Sequence, residues 1–181
     1  MFRFITLLFG IKRSVKDLKK RNKEYLSMTL TELKSLSDAE LFDAAFARTT
    51  AKVDKYEDIV TGVNSLTGAE KTFYVASYYE MEVNNGGLCQ FFVNSSRKVA
   101  PQLADSLSEI GAVRHKELFE SFTTKNAINI HDLSSFVIDD VDEFEVQAKR
   151  YPFDDFDNAF YDLPPIQELL VPYIREHISD F

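Results

Sequence analysis

Residues 84–96 read Asn-Asn-Gly-Gly-Leu-Cys-Gln-Phe-Phe-Val-Asn-Ser-Ser, and the fold follows from how that stretch must behave. Asn84, Asn85, Gly86 and Gly87 tolerate positive φ, so they end a helix sharply. Leu88, Cys89, Phe91, Phe92 and Val93 follow at once as an apolar run broken only by Gln90. Asn94, Ser95 and Ser96 then offer three side chains able to cap backbone groups. The segment reads as helix, tight reversal, short buried helix and cap.

Upstream, Thr67 and Glu70 have the spacing of a capping box, which opens a long helix running to Asn84. Phe73, Tyr74, Val75, Ala76, Tyr78, Tyr79, Met81 and Val83 spread apolar groups almost right round it, the pattern of a central, buried helix. Its polar residues are ordered. Ser77, Glu80 and Asn84 fall on one narrow strip, with Glu82 nearly opposite. A buried carboxylate needs partners or takes up a proton. Either Glu80 and Asn84 tie down the backbone of the turn at 86–96, or the strip lines a pocket. In the pocket reading a small-molecule or catalytic site gathers Tyr78, Glu80, Asn84, Gln90 and Asn94, with Asn85, Gly86 and Gly87 at the turn and Glu80 as a poised acid or base.

Further out, every element reads as helical. Ser37 and Glu40 form a second capping box, with Leu36 and Leu41 as its staple, opening a helix to Thr49. Another helix is expected over 52–63. Pro101 to Ile110 forms a helix stopped by Gly111. Residues 112–125 are helical with Val113, Leu118, Phe119 and Phe122 inward, and 126–137 are less regular. Acidic helices follow over 139–150 and 154–161. Pro164 and Pro165 stand at the start of a last helix whose core face is Ile166, Leu169, Leu170, Tyr173, Ile174 and Ile178. Pro172 is expected to kink or interrupt it. No sustained period-two run appears. The fold class is all-α: a compact multi-helix domain over 36–181 with a basic amphipathic arm over 1–30.

Charge divides the chain in the same place. Net charge is −8 over 181 residues, yet residues 1–23 hold eight basic side chains against Asp17 alone. Residues 132–168 hold eleven acids against Lys149 and Arg150. An acidic body of this kind repels nucleic acid, so direct binding to it is not expected. The arm places Phe4, Leu7, Leu8, Ile11, Val15, Leu18, Tyr25 and Leu26 on one stripe. It either packs on the body or contacts a membrane surface. Its apolar opening is too short to span a bilayer, and its charges follow that opening instead of preceding it as in a signal peptide.

Catalytic chemistry finds little support. His115, His131 and His177 lack metal-ligand spacing, and no cofactor or metal is expected. They read as surface or ordinary hydrogen-bonding residues. The single cysteine, Cys89, sits in an apolar run as an inert thiol, and a reducing cytoplasm is the natural setting. Gly86-Gly87 has none of the flanking pattern of a phosphate loop. The acids are more informative. Asp139, Asp140, Asp142 and Glu143, extended by Asp154, Asp155 and Asp157, present rows of carboxylates, since side chains three or four apart on a helix are neighbours. Duplex DNA carries about one charge per 1.7 Å of axis. Acidic helix faces held at a fixed angle imitate part of that pattern.

Glu80-Met81-Glu82-Val83 leading into Asn84-Asn85-Gly86-Gly87, then Gln90-Phe91-Phe92 and Asn94-Ser95-Ser96, with Ile110-Gly111-Ala112 downstream, resembles the bacterial DNA-mimic protein family of about nineteen kilodaltons. The likeness covers residues 36–181. It implies a small acidic all-helical cytoplasmic protein without enzymatic activity. Such a protein binds a DNA-binding protein, for example a helix-turn-helix repressor, through its carboxylates, and a homodimer is in keeping with it.

Overall fold

The computed structural model describes residues 17–181. Among them there is no β-strand. Helix α1 occupies 17–27 of the described chain. It is followed by α2 (Leu30–Lys34), α3 (Asp38–Val53), α4 (Ile59–Asn64), α5 (Gly68–Val93), α6 (Ala100–Glu109), α7 (Val113–Lys125), α8 (Val141–Ala148), α9 (Phe153–Tyr161) and α10 (Gln167–Glu176), with short 3-10 turns at Ser95–Val99 and Ser134–Phe136.

Helix α5 is the axis on which the others are hung; α3, α6, α9 and α10 all pack against it. Its capping box is present: the Glu70 amide donates to Thr67 Oγ1 at 3.3 Å while Glu70 Oε2 accepts the Thr67 amide at 3.1 Å. Phe73, Val75, Ala76, Tyr79 and Val83 are all inaccessible to solvent. Midway, the helix breaks. Gly86 (φ −160°, ψ 27°) and Gly87 (φ 76°, ψ 177°) leave helical space, so α5 is two helices joined at an elbow. The shorter arm carries Leu88, Phe91 and Phe92, each fully buried. Phe92 meets the rings of Phe136 and Phe153 at 5.0 and 6.2 Å, and burying one such side chain contributes about 1.5–3 kcal/mol.

Helix α9 clamps the elbow. Its Phe153, Phe156 and Phe160 point inward. On the same helix, Asp157 Oδ1 accepts the Leu88 amide at 2.8 Å, and Tyr161 Oη donates to the Val83 carbonyl at 2.9 Å. A helix leaves its first amides and last carbonyls without partners. Two side chains one turn apart on α9 therefore serve both ends created by the break.

Several boundaries and facings differ from the sequence reading. Helix α3 runs on to Val53, and the next begins only at Ile59, because Asp58 caps it by accepting the Thr61 amide at 2.9 Å. Helix α2 adds an element to those expected from the sequence, and Thr29 and Glu32 box it. Val113 is 54% exposed, and the inward row of α7 is His115, Phe119 and Phe122 instead. Leu169 also points outward, on the flank of the Ile166–Leu170–Ile174 row. Pro172 does not interrupt α10. The carbonyl it leaves unpaired is that of the exposed Glu168, which water can reach. In α1, Tyr25 is buried while Leu18 and Leu26 are exposed, so the expected stripe is not an inward face there. The part of that stripe from Phe4 to Val15 lies outside the described residues. Arg48 Nη1 fastens the end of α1 by donating to the carbonyls of Tyr25 and Met28 at 3.2 and 3.0 Å.

The elbow makes a sharp demand on Gly87. Its φ and ψ lie where only glycine is at ease, at a cost of about 1–3 kcal/mol for other residues. A Cβ there would also stand 2.1 Å from an Asp157 carboxylate oxygen. Gly87→Ala is expected to lower unfolding free energy by at least about 2 kcal/mol in urea titrations. Gly68→Ala, where an added Cβ meets nothing within 4 Å, is expected to be neutral or slightly stabilising.

Candidate functional site

Each acidic side chain near the elbow has a different fate. Glu80 is buried and accepts the amides of Ile166 at 2.6 Å and Gln167 at 3.0 Å, one on each oxygen. It is thus the cap of α10, which follows Pro164 and Pro165 and so lacks a capping side chain of its own. Burial pushes the Glu80 carboxyl up, against the two amides that pull it down. Neither the expectation that it ties down the 86–96 turn nor its role as a poised group in a pocket matches this placement.

Glu82 takes the structural part expected of Glu80. Its Oε2 accepts Gln90 Nε2 at 2.6 Å and Asn94 Nδ2 at 2.7 Å, and its Oε1 accepts Ser96 Oγ at 3.1 Å. Three side chains of the short arm and its cap therefore converge on one buried carboxylate of the long arm. A carboxylate oxygen accepts these bonds. Both amides present their NH₂ ends to it, and Gln90 Oε1 lies against Gly86. Asn84, by contrast, is exposed. Arg97 closes the end of α5 by donating from Nη1 to the carbonyls of Val93 at 2.6 Å and Asn94 at 2.9 Å.

Outside this knot lies an open groove of about 570 Å³. Asn85, Gln90 and Asn94 supply one polar wall, Asp139 and Asp140 the other, and Val93, Ile138 and Phe144 its apolar part. Residues proposed for two separate sites thereby meet in one place. Tyr78 is elsewhere, stacked on Phe46 and Tyr74 at 5.3 and 4.2 Å. The structure thus divides Tyr78, Glu80, Asn84, Gln90 and Asn94 among different surroundings and does not gather them round a single cavity.

The rows of acids are also rearranged. Asp139 and Asp140 precede α8 instead of riding on it. Asp140 is its N-cap, with Oδ1 accepting the Glu143 amide at 3.0 Å, while Glu143 Oε2 accepts the Asp139 amide at 2.7 Å. Asp142 is exposed in the first turn of α8, and Asp154 and Asp155 in the first turn of α9, where the helix dipole favours negative charge. Asp157 differs from its neighbours. It is half-buried against Leu88, and burial pushes its carboxyl up. Among the described residues no lysine or arginine lies within ion-pair distance of Asp139, Asp140, Asp142, Glu143, Asp154 or Asp155.

Other reactive groups are quiet. Burial pushes the Cys89 thiol up to about 12, far from a thiolate at neutral pH. His115 is buried, not on the surface; its Nε2 lies 2.9 Å from the Pro164 carbonyl, its ring 4.9 Å from that of Phe160, and burial lowers its proton affinity. Among the described residues no three His, Cys, Asp or Glu side chains converge as a metal would need, and no helix is long and apolar enough to cross a membrane.

A family model described as DMP19-like protein matches residues 64–177, a span that includes α5 to α10 and the groove. No curated protein and no solved structure matches the chain.

Glu82 holds the groove's polar wall in place. Glu82→Ala is expected to cost at least about 3 kcal/mol, because it strands three donors, and to release the Gln90 and Asn94 side chains, seen as collapse of their NH₂ proton shifts toward random-coil values. Asn84→Ala is expected to stay within about 0.5 kcal/mol of wild type.

Proposed function

Because the chain belongs to the DMP19-like protein family, we propose that it is a non-enzymatic acidic interaction protein that competes with DNA for a DNA-binding partner, such as a helix-turn-helix regulator. The observation that carries this reading is the pair of exposed acidic helix starts. Asp139, Asp140, Asp142 and Glu143 at α8, with Asp154 and Asp155 at α9, project from elements anchored on the α5 elbow. A basic surface shaped for phosphates meets there a fixed array of carboxylates instead. Asp157 is spent on the Leu88 amide and serves the array by placing α9. Catalysis has no comparable support, since the buried carboxylates Glu80 and Glu82 are occupied by amides and hydroxyls of the chain itself.

The test removes charge without touching a cap. Asp139→Asn, Asp142→Asn, Asp154→Asn and Asp155→Asn combined leave Asp140, Glu143 and Asp157 in place. Wild type on a resin is expected to capture a DNA-binding protein from native lysate, to release it to duplex DNA, and to bind it more weakly as salt rises. The fourfold variant is expected to lose it while staying folded, with a thermal unfolding midpoint lowered by only a few degrees as the helix-start charges go. Capture unchanged by the variant would contradict the proposal.

A further inference from the structure

We propose that the groove between the α5 elbow and the start of α8 receives the guanidinium of one arginine presented by the partner; the inference rests on the DNA-mimic reading above. The argument begins with Glu82. It takes one N–H from each of the Gln90 and Asn94 amides; Gln90 Oε1 then lies against Gly86, and among the described residues Asn94 Oδ1 accepts no hydrogen bond. Asp140 Oδ2 is open as well, since the Glu143 amide uses only Oδ1. Asp139 commits its amide to Glu143 and leaves both carboxylate oxygens open. Asp139 and Asp140 make this end of the groove rich in acceptors, while Gln90 and Asn94 have each given an N–H to Glu82.

Between those walls lie Val93, Ile138 and the half-buried Phe144. Acceptors around an apolar, partly aromatic floor match a guanidinium. That group carries five N–H donors in a rigid plane, no acceptor, and weakly hydrated faces that lie well on an aromatic ring. A lysine ammonium has neither the fork nor the faces. Arginine reads guanine in DNA through two adjacent acceptors, O6 and N7. The open carboxylate oxygens of Asp139 and Asp140, with Asn94 Oδ1 in the same groove, are acceptors of the kind such a fork needs. The acidic helix starts then stand for phosphates, and the groove stands for a base.

The experiment uses the full-length ¹⁵N-labelled protein and three alanine-based helical peptides that differ only in one central residue: Arg, Lys or Gln. With the Arg peptide, the side-chain NH₂ resonances of Gln90 and Asn94 are expected to shift and saturate. Apparent affinity is expected to fall by at least about fivefold for Lys and to vanish for Gln. Asn94→Ala combined with Asp139→Asn is expected to weaken the Arg peptide about tenfold. Equal response to Arg and Lys, or shifts centred on Asp154 and Asp155 and absent from the groove, would overturn the proposal. If the lysate partner is still captured and displaced by DNA, that failure belongs to the groove alone. A groove that takes the Arg peptide while no DNA-binding protein is captured would leave the arginine receptor standing without the mimic reading.

Discussion

The amide of Leu88 governs much of this fold. A helix that breaks inside an apolar core exposes hydrogen-bonding groups where water cannot reach them, and each unpaired group costs about 1–3 kcal/mol. The break at Gly86 and Gly87 creates a new helix start at Leu88 and an old helix end near Val83. Asp157 meets the first and Tyr161 the second. Both sit on α9, one turn apart, so the position of α9 against α5 is fixed by two hydrogen bonds as well as by its row of phenylalanines. Gly87 has no side chain because the Asp157 carboxylate occupies the space that a Cβ would need. The same logic recurs at α10, where Glu80 from α5 caps a helix that prolines leave uncapped. Buried acids here hold helix ends together.

That economy explains why so much of the architecture was legible in the sequence and why the site was not. Capping boxes at Ser37 and Thr67, the glycine stop at Gly111 and the elbow at 84–96 are local signals, and each lies where its residues say. Glu80 and Glu82 could not be told apart that way. They are neighbours on a helix buried nearly all round, and their partners lie 86 and 8 residues away, one set in α10 and the other in the short arm. Sequence spacing carries no information about the first. Asp157 looked like its neighbours Asp154 and Asp155, yet it lies on the inward side of the first turns of α9, in step with Phe153 and Phe160. An alternation of that row with the phenylalanines was the available signal. Val113 and Leu169 misled for a related reason: an apolar residue at a helix margin does not say which way it faces.

Structure and proposed function are joined by a division of labour among carboxylates. Glu80 and Glu82 are buried and Asp157 half-buried, each bonded to protein donors that hold the chain; the acids proposed to meet a partner are exposed at two helix starts on α8 and α9. The groove lies between these classes, since its Gln90 and Asn94 side chains are held by the buried Glu82. Rigidity under the surface lets a protein imitate the fixed charge spacing of a duplex, because a charge array that must be ordered on binding loses affinity to that ordering.

Native-state hydrogen exchange at the Leu88 amide probes the elbow most directly. In wild type it is expected to exchange only with the globally unfolding amides of α5, such as those of Val75 and Tyr79. In Asp157→Ala it is expected to exchange through local opening at least about tenfold faster, while Val75 and Tyr79 keep pace with global unfolding. A Leu88 amide that exchanges rapidly in wild type, or one whose protection relative to Val75 is the same in the variant, would contradict the account.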